Sequence, residues 1–491
     1  MELALLLGFP VLGAALLGIT GAHRRAPEIN AVLSLATFLA SCALTVQVIR
    51  HGNLLLGDEQ FFIDPFNVFL VALTAFVGLT TALFSRPYMR VELDHGRLTP
   101  GRLRLYHSMY QLFMFTMLLA LTTNNMGLMW VAMEGATLST VLLVTLYRTP
   151  QSLEAGWKYF ILCGVGIAQA LFGTILLYVA AEKVLGAQGV TALLWTHLDA
   201  VKSQLEPTVL ALAFVFLLIG YGTKVGLVPL HSWLPDAHAE GPTPISAVLS
   251  GLLLNVALYA VVRSKVLVEG SLHSRLPSVL LMGFGLVSVV LASLLLWRQR
   301  DIKRLFAYSS IEHMGIATLA FGIGGPLATF AGLLHMTAHS LVKSAIFFVV
   351  GHIVQTSGSQ KILSIREVAA RTPGLSRALL AGGFAITGLP PFALFASEFL
   401  IVSEAARRAP YTVPFLLFAL FVTFGIILFR ILEMNGGGPP LESPVLPSPP
   451  LTFFPVWIHL GVALVMGLFF PALLASVYQK ALLSLGPLYG G

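Results

Sequence analysis

The chain has 491 residues, of which 57% are hydrophobic and only 10% charged, and its mean hydropathy is +0.86. Soluble domains carry about 25% charged residues, so an ordinary globular enzyme is excluded and a protein that crosses a bilayer many times is implied. The formal charge of +7 is no sign of nucleic-acid binding, because the basic residues form no stripe interleaved with aromatics.

In chain order, a window of about 19 residues predicts about fourteen apolar spans: 2–20, 30–49, 62–84, 107–123, 126–147, 157–180, 208–228, 244–264, 276–297, 303–323, 327–351, 378–402, 411–431 and 453–476. The first has no basic segment before it and is followed by further spans, so it reads as a transmembrane helix that stays on the chain. The longest polar connections are 85–106, 352–377 and a Pro-rich stretch at 435–450 that reads as a structureless loop. Loops after odd-numbered spans hold about seventeen Lys and Arg against about nine elsewhere, which places the odd loops in the cytoplasm and both termini outside. Cys42 and Cys163 lie in apolar runs and offer neither a disulfide framework nor an iron-sulfur motif. The expectation is an all-α polytopic membrane protein without a cofactor of its own.

Ionisable residues within the spans are the informative ones, since a charge at a helix centre costs about 2.5–3.5 kcal/mol on insertion scales and usually marks an ion or proton path. Glu134 lies eight residues into its span, in "NNMGLMWVAMEGATL". A buried carboxylate there calls for a cation, and a pair with Lys224 that opens and closes would act as a switch by charge separation; a static ion pair is the alternative. Lys158 lies at the edge of the sixth span. Lys224 follows "FVFLLIGYGT" and precedes "VGLVP", where glycines and Pro229 predict a broken helix, unless the lysine simply reaches the headgroups. His231 links it to the next span, and Asp236, His238 and Glu240 read mainly as caps of the connection.

Further along, His335, His339 and Lys343 in "LLHMTAHSLVKSAIFF" recur every four residues and stack on one helical face. Two histidines at that spacing suit a metal, but no glutamate of the H-E-x-x-H kind accompanies them and no third ligand is evident nearby. A proton relay is the better reading. Pro390 and Pro391 precede Glu398 in "ITGLPPFALFASEFL", predicting a second broken helix. Spans four to eight and nine to thirteen then form two five-helix repeats, which must be inverted because five is odd. The corresponding segments are 1–106 (helices 1–3), 107–264 (first repeat), 265–434 (second repeat) and 435–491 (loop and last helix).

Three stretches carry a resemblance. "GTKVGLVPLHSWLPDAHAEGPTPISAVLSG", "DIKRLFAYSSIEHMGI" and "LLHMTAHSLVKSAIFF" resemble the proton-conducting antiporter-like family shared by respiratory complex I, the Mrp-type sodium/proton antiporters and the membrane-bound nickel-iron hydrogenases. The likeness covers about residues 60 to 430. Within that family, "NNMGLMWVAMEGATL", "EAGWKYFILCGVGIA" and "ASEFLIV" are most similar to component F subunits of hydrogenase-4. The resemblance implies a fourteen-helix unit in a prokaryotic cytoplasmic membrane. It matches Glu134, Lys224, Lys343 with His335 and His339, and Glu398 to the family's proton-path residues. It implies as partners other antiporter-like subunits and a peripheral hydrogenase or dehydrogenase arm with iron-sulfur proteins. A cation/proton antiporter of Mrp type and an inactive membrane anchor stand as alternatives. Asn255, in "SGLLLNVALYA", departs from relatives that carry a lysine there; an amide cannot hold a proton as a charge, so either ordered water carries the path past it or Lys158 and the histidines take over.

Overall fold

The computed structural model describes residues 1–186, 189–272, 274–436 and 450–485. Most of the Pro-rich stretch expected to be structureless therefore lies outside the described residues. The chain opens with α1 (Glu2–Thr20), α2 (Ala26–His51), a hairpin of β1 (Leu54–Leu56) and β2 (Phe61–Ile63), and α3 (Pro65–Asp94). The strands pair antiparallel, Leu54 opposite Ile63. Asp64 caps α3 through a reciprocal side-chain pair with Asn67, which satisfies donors that a helix start leaves open.

Next come α4 (Pro100–Thr122), α5 (Met126–Val144), α6 (Pro150–Leu185), the short α7 (Trp195–Val201), and α8 (Pro207–Val225) followed after a break by α9 (Trp233–Glu240). α10 (Thr243–Val248) runs through a π turn at Leu249–Leu253 into α11 (Leu254–Leu272). The second half holds α12 (Leu276–Leu296), α13 (Ile302–Ile323), α14 (Gly325–Ser357), the short α15 (Val368–Arg371), the broken pair α16 (Pro373–Ile386) and α17 (Ala393–Arg408), α18 (Val413–Gly436), α19 (Phe454–Leu468) and α20 (Ala472–Ser484).

Ten helices among the described residues are long and apolar enough to cross a membrane, and α19 with α20, bent by 76°, makes an eleventh. The other three of the fourteen expected spans fall on α4, α13 and the α16–α17 pair. α4 and α13 have the length, 23 and 22 residues, but their polar residues dilute the apolar signal, and α16–α17 is divided by its break. The last span differs from expectation in its bend, which follows Phe469 where Pro471 caps α20. α7 and the hairpin are additions that the apolar window does not see.

Two spans form the inside of the bundle. Along their apolar stretch α14 and the Thr243–Ser271 span are entirely buried, whereas α1, α2, α6, α12 and α18 turn much of theirs outward. Val32 on α2, Ile161 on α6 and Phe421 on α18 are among the exposed apolar side chains, and such a girdle is what a lipid-facing surface requires. Helices inside approach closely through small residues: a Cβ added at Gly285 of α12 would lie 2.8 Å from the Gly315 carbonyl of α13, and one at Gly315 2.9 Å from that of Gly285.

A buried pair ties α11 to the residue that joins the hairpin to α3. Arg263 of α11 donates to Asp64 Oδ1 at 2.6 Å and to Tyr259 Oη at 3.1 Å. Its guanidinium lies 4.4 Å from the Trp195 ring and 5.0 Å from that of Phe66, an aromatic enclosure suited to a cation.

The connections 85–106, 298–303 and 352–377 meet at one end of the bundle. Ile302 N donates to Gln360 O at 3.0 Å and Ile362 N to Arg300 O at 2.8 Å, while Gln355 Nε2 donates to buried Glu92 at 2.8 Å. Arg97, Lys303 and Lys361 line one recess there.

The α6–α8 contact gives a stability test. A Cβ at Gly220 would stand 2.5 Å from Ala170 Cβ and 2.6 Å from the Gly166 carbonyl, whereas at Gly164 it meets nothing within 4 Å. Gly220→Val is expected to cost about 1–3 kcal/mol and to lower the thermal midpoint in detergent; Gly164→Val should leave that midpoint nearly unchanged.

Candidate functional site

Lys224 sits on the last turn of α8, two residues before a glycine that ends it. Gly226 adopts the left-handed conformation at φ +81°, the usual helix stop, and Leu227 N donates back to Gly222 O at 3.0 Å. The freed groups of the break are satisfied from outside the helix: Trp233 Nε1 donates to Thr223 O at 2.8 Å and Val228 N to Ser288 Oγ at 2.9 Å. Irregular backbone at membrane depth persists only under such protection.

The Lys224 side chain is fully buried. Its ammonium donates to Tyr159 Oη at 3.3 Å and stands 4.9 Å from that ring. Tyr159 stacks on Trp233 with centroids 4.6 Å apart, and its hydroxyl meets Thr140 Oγ1 at 2.6 Å. Glu134 lies on the same helix as Thr140, half-buried, and accepts from Thr137 Oγ1 at 3.1 Å. Among the described residues no ion pair joins Glu134 to Lys224; the hydroxyls of Thr137, Thr140 and Tyr159 lie on the way between them. Lys158 is not in this interior. It is 48% exposed and pairs with Glu154 at 2.6 Å and Asp236 at 3.2 Å. Asp236 also holds Arg304 at 2.8 Å. His231 is half-buried against Tyr308, rings 6.3 Å apart.

Asn255 faces α14. Its amide donates to Met336 O at 2.9 Å and Ser340 Oγ at 2.7 Å, and its own oxygen is buried without a partner in the structure. Within the π turn before it, the Gly251 carbonyl accepts from the Ser340 hydroxyl. Lys343, three residues further along α14, is completely buried and donates to Phe306 O at 2.9 Å.

His335 and His339 lie on α14 as the four-residue spacing predicts, both completely buried. The structure adds to them two residues from α13 that sequence reasoning passes over. His313 Nδ1 is 3.2 Å from His335 Nε2, and its ring centroid is 5.7 Å from that of His339. Glu312 accepts from Thr423 Oγ1 of α18 at 2.7 Å. An adjacent Glu-His pair in the middle of the 303–323 span is the signal that marks both. On the far side, His335 Nδ1 meets Ser397 Oγ at 3.0 Å, and Glu398 Oε1 lies 3.8 Å from His313 Nδ1.

Glu398 follows a break built like the first. Gly388 has φ +64°, Leu389 N donates back to Phe384 O at 3.1 Å and Phe392 N to Leu389 O at 3.2 Å; at the first break Leu230 N donates to Leu227 O at 2.7 Å. Gly-Leu-Val-Pro at 226–229 and Gly-Leu-Pro-Pro at 388–391 thus make the same turn, each with a cis bond before its last proline. In this register Glu398 stands where Asp236 stands in the first half, while Lys224 matches the apolar Ile386.

The arrangement is a discontinuous line of polar side chains, most of them buried, crossing the bundle: the half-buried Glu134 with the buried Lys224 in one half, Asn255 and Lys343 between, and the histidines with Glu398 in the other. Histidine is both donor and acceptor and each of these groups is polar, so neighbours in the line have the chemistry to exchange a proton.

Comparison with known proteins places the chain. Residues 123–425 match the family NADH:quinone oxidoreductase/Mrp antiporter, TM. The chain belongs to that family. It is 47% identical to the hydrogenase-4 component F homolog of Methylacidiphilum infernorum (isolate V4), over 98% of each chain. It is also 27% identical to NADH-quinone oxidoreductase subunit N of Desulforudis audaxviator (strain MP104C), covering 86% of this chain and 84% of that one. Among solved structures, a chain of an archaeal membrane-bound sulfane sulfur reductase aligns with a TM-score of 0.87 at 25% identity, over 98% of this chain and 97% of that one. This is an antiporter-like, multi-pass membrane subunit, and its relatives are subunits of multi-subunit membrane complexes.

Tyr159 offers a sharp test of the first half. Tyr159→Phe keeps the stacking on Trp233 and removes the hydroxyl that Lys224 and Thr140 share. Assembly should persist, while the rate of proton flux through the assembled complex in vesicles falls by about tenfold or more, equivalent to about 1.4 kcal/mol of barrier. Unchanged flux would show that no proton passes through that hydroxyl.

Proposed function

We propose that this chain is a proton-translocating membrane subunit without a redox centre of its own. It couples electron transfer in a membrane-bound hydrogenase or related dehydrogenase complex to proton movement through the buried Glu, Lys and His groups. The observation that carries the proposal is Lys343: a lysine with no carboxylate within ion-pair distance among the described residues, held by one carbonyl, fully buried on the innermost helix and preceded along α14 by the buried His335 and His339. So costly a charge is retained for a task that needs it to gain and lose a proton. The hydrogenase-4 relative supports this reading over a free-standing cation antiporter of Mrp type.

In this reading the two five-helix repeats, 107–264 and 265–434, meet at α14. A peripheral arm with iron-sulfur proteins and other antiporter-like subunits are its partners, and it resides in a prokaryotic cytoplasmic membrane. Lys224 loads a proton when Glu134 and the Tyr159 hydroxyl stabilise its charged form. Transfer toward Lys343 passes Asn255, whose unpartnered oxygen accepts a hydrogen bond from ordered water. Lys158, ion-paired at the bundle's edge, positions Asp236 near the mouth and is not a carrier.

Lys343→Ala tests the core of the proposal. The substitution removes a buried charge and leaves the apolar packing, so the complex should assemble and turn over while proton uptake into proteoliposomes collapses. Normal pumping by the variant would make the lysine structural.

Orientation is open to a direct check. The loops 85–106, 298–303 and 352–377, gathered at one end of the bundle and rich in Lys and Arg, should face the cytoplasm. Cysteines introduced in each should resist a membrane-impermeant thiol reagent applied to sealed cells; labelling of all three reverses the orientation.

A further inference from the structure

The histidine stripe of α14 lacks a third metal ligand within its own segment, and folding supplies one from each of two other helices. His313 of α13, His335 of α14 and Glu398 of α17 each direct one donor atom to a common point, all three atoms lying within 4.8 Å of one another. Two ligand atoms each about 2.0–2.1 Å from a tetrahedral zinc ion stand about 3.3 Å apart. The observed separations are 3.2 Å between His313 Nδ1 and His335 Nε2 and 3.8 Å between His313 Nδ1 and Glu398 Oε1.

The outer contacts orient the ligands as a metal site needs. Ser397 Oγ gives its proton to Leu394 O at 2.8 Å, so toward His335 Nδ1, 3.0 Å away, it acts as acceptor. In the tautomer that donates from Nδ1 to Ser397, His335 turns the lone pair of Nε2 to the common point, the arrangement by which a hydrogen-bonded histidine is fixed for ligation. Glu398 Oε1 is buried without a hydrogen-bond partner in the structure. A Cβ at the half-buried Gly388, two residues before the exposed Pro390 and Pro391, would stand 2.0 Å from Glu398 Oε2, so the carboxylate packs directly against that glycine.

We propose that His313, His335 and Glu398 form a binding site for a divalent transition-metal ion of the zinc class, closed by one water in the fourth position. Two imidazoles and a carboxylate select such an ion over sodium or magnesium, which prefer oxygen ligands. The ion takes the lone pairs that proton transfer between these groups requires. On the function proposed above, its binding therefore arrests the relay from outside the redox enzyme, and millimolar chelator restores it.

The test is zinc binding to the full chain in nanodiscs, measured by titration calorimetry, with cobalt(II) absorption reporting tetrahedral nitrogen and oxygen ligation. Wild type should bind one zinc ion more tightly than its exposed histidines do. His335→Gln and Glu398→Gln should each weaken that ion by about 100-fold or more. His339→Gln, which removes the neighbour in the stripe but no ligand, should bind zinc as wild type does. Gly388→Ala, which pushes Glu398 aside and keeps every ligand, should weaken zinc without loss of helix content. Absence of that tight ion in wild type overturns the site whatever the variants do, and so does equal affinity in wild type and His335→Gln. Zinc that binds as stated but leaves proton flux unaltered keeps the site and counts against the proton relay, so the two readings fail separately.

Discussion

Everything in this bundle follows from the rule that a charge at lipid depth must be enclosed by protein or water. Lys343, His335 and His339 share one face of one helix, so at least that face cannot touch lipid. α14 is accordingly buried along its whole apolar stretch, ringed by α3, α10, α13, α16, α17 and α19. The span carrying Asn255 is enclosed in the same way. The outer helices are apolar toward lipid and need no charge of their own, which is why α1, α2, α12 and α18 read as plain membrane helices.

The two helix breaks are one solution used twice. A left-handed glycine, a leucine whose N–H reaches back five residues, and a proline two positions later end each first half and start each second. The chemistry placed on the common frame differs. Ten residues after its glycine, the first break carries Asp236, ion-paired with Lys158 and Arg304 near the surface; the second carries Glu398, buried among His313, His335 and Ser397. A duplicated geometry thus supports a surface ion pair in one half and an interior carboxylate in the other.

The geometry of the first half also shapes how its charges communicate. Lys224 and Glu134 are separated by Tyr159 and two threonines instead of being paired, so either can change protonation without first breaking a salt bridge. Hydroxyls suit this place because each both donates and accepts, whereas a permanent pair would hold both groups in their charged forms.

Much of this was legible in the residues. Composition and the apolar windows established a polytopic helical membrane protein, and Gly and Pro beside Lys224 and Glu398 located both breaks, since those residues act on the backbone within one turn. The four-residue spacing of His335, His339 and Lys343 fixed a shared face because helical periodicity is local. The repeated Gly-Leu-x-Pro was also there to be read. The apolar window overstated uniformity among the spans, as polar α4 and α13 show, and it passed over Glu312 and His313 because one histidine in a span says nothing about its neighbours. Only the tertiary structure decided that His313 meets His335 and Glu398, that Lys158 lies at the edge, and that Tyr159 stands between Lys224 and Glu134. Those contacts join helices tens to hundreds of residues apart, and their register is set by side-chain packing, glycine contacts and capping across helices, which no local period encodes.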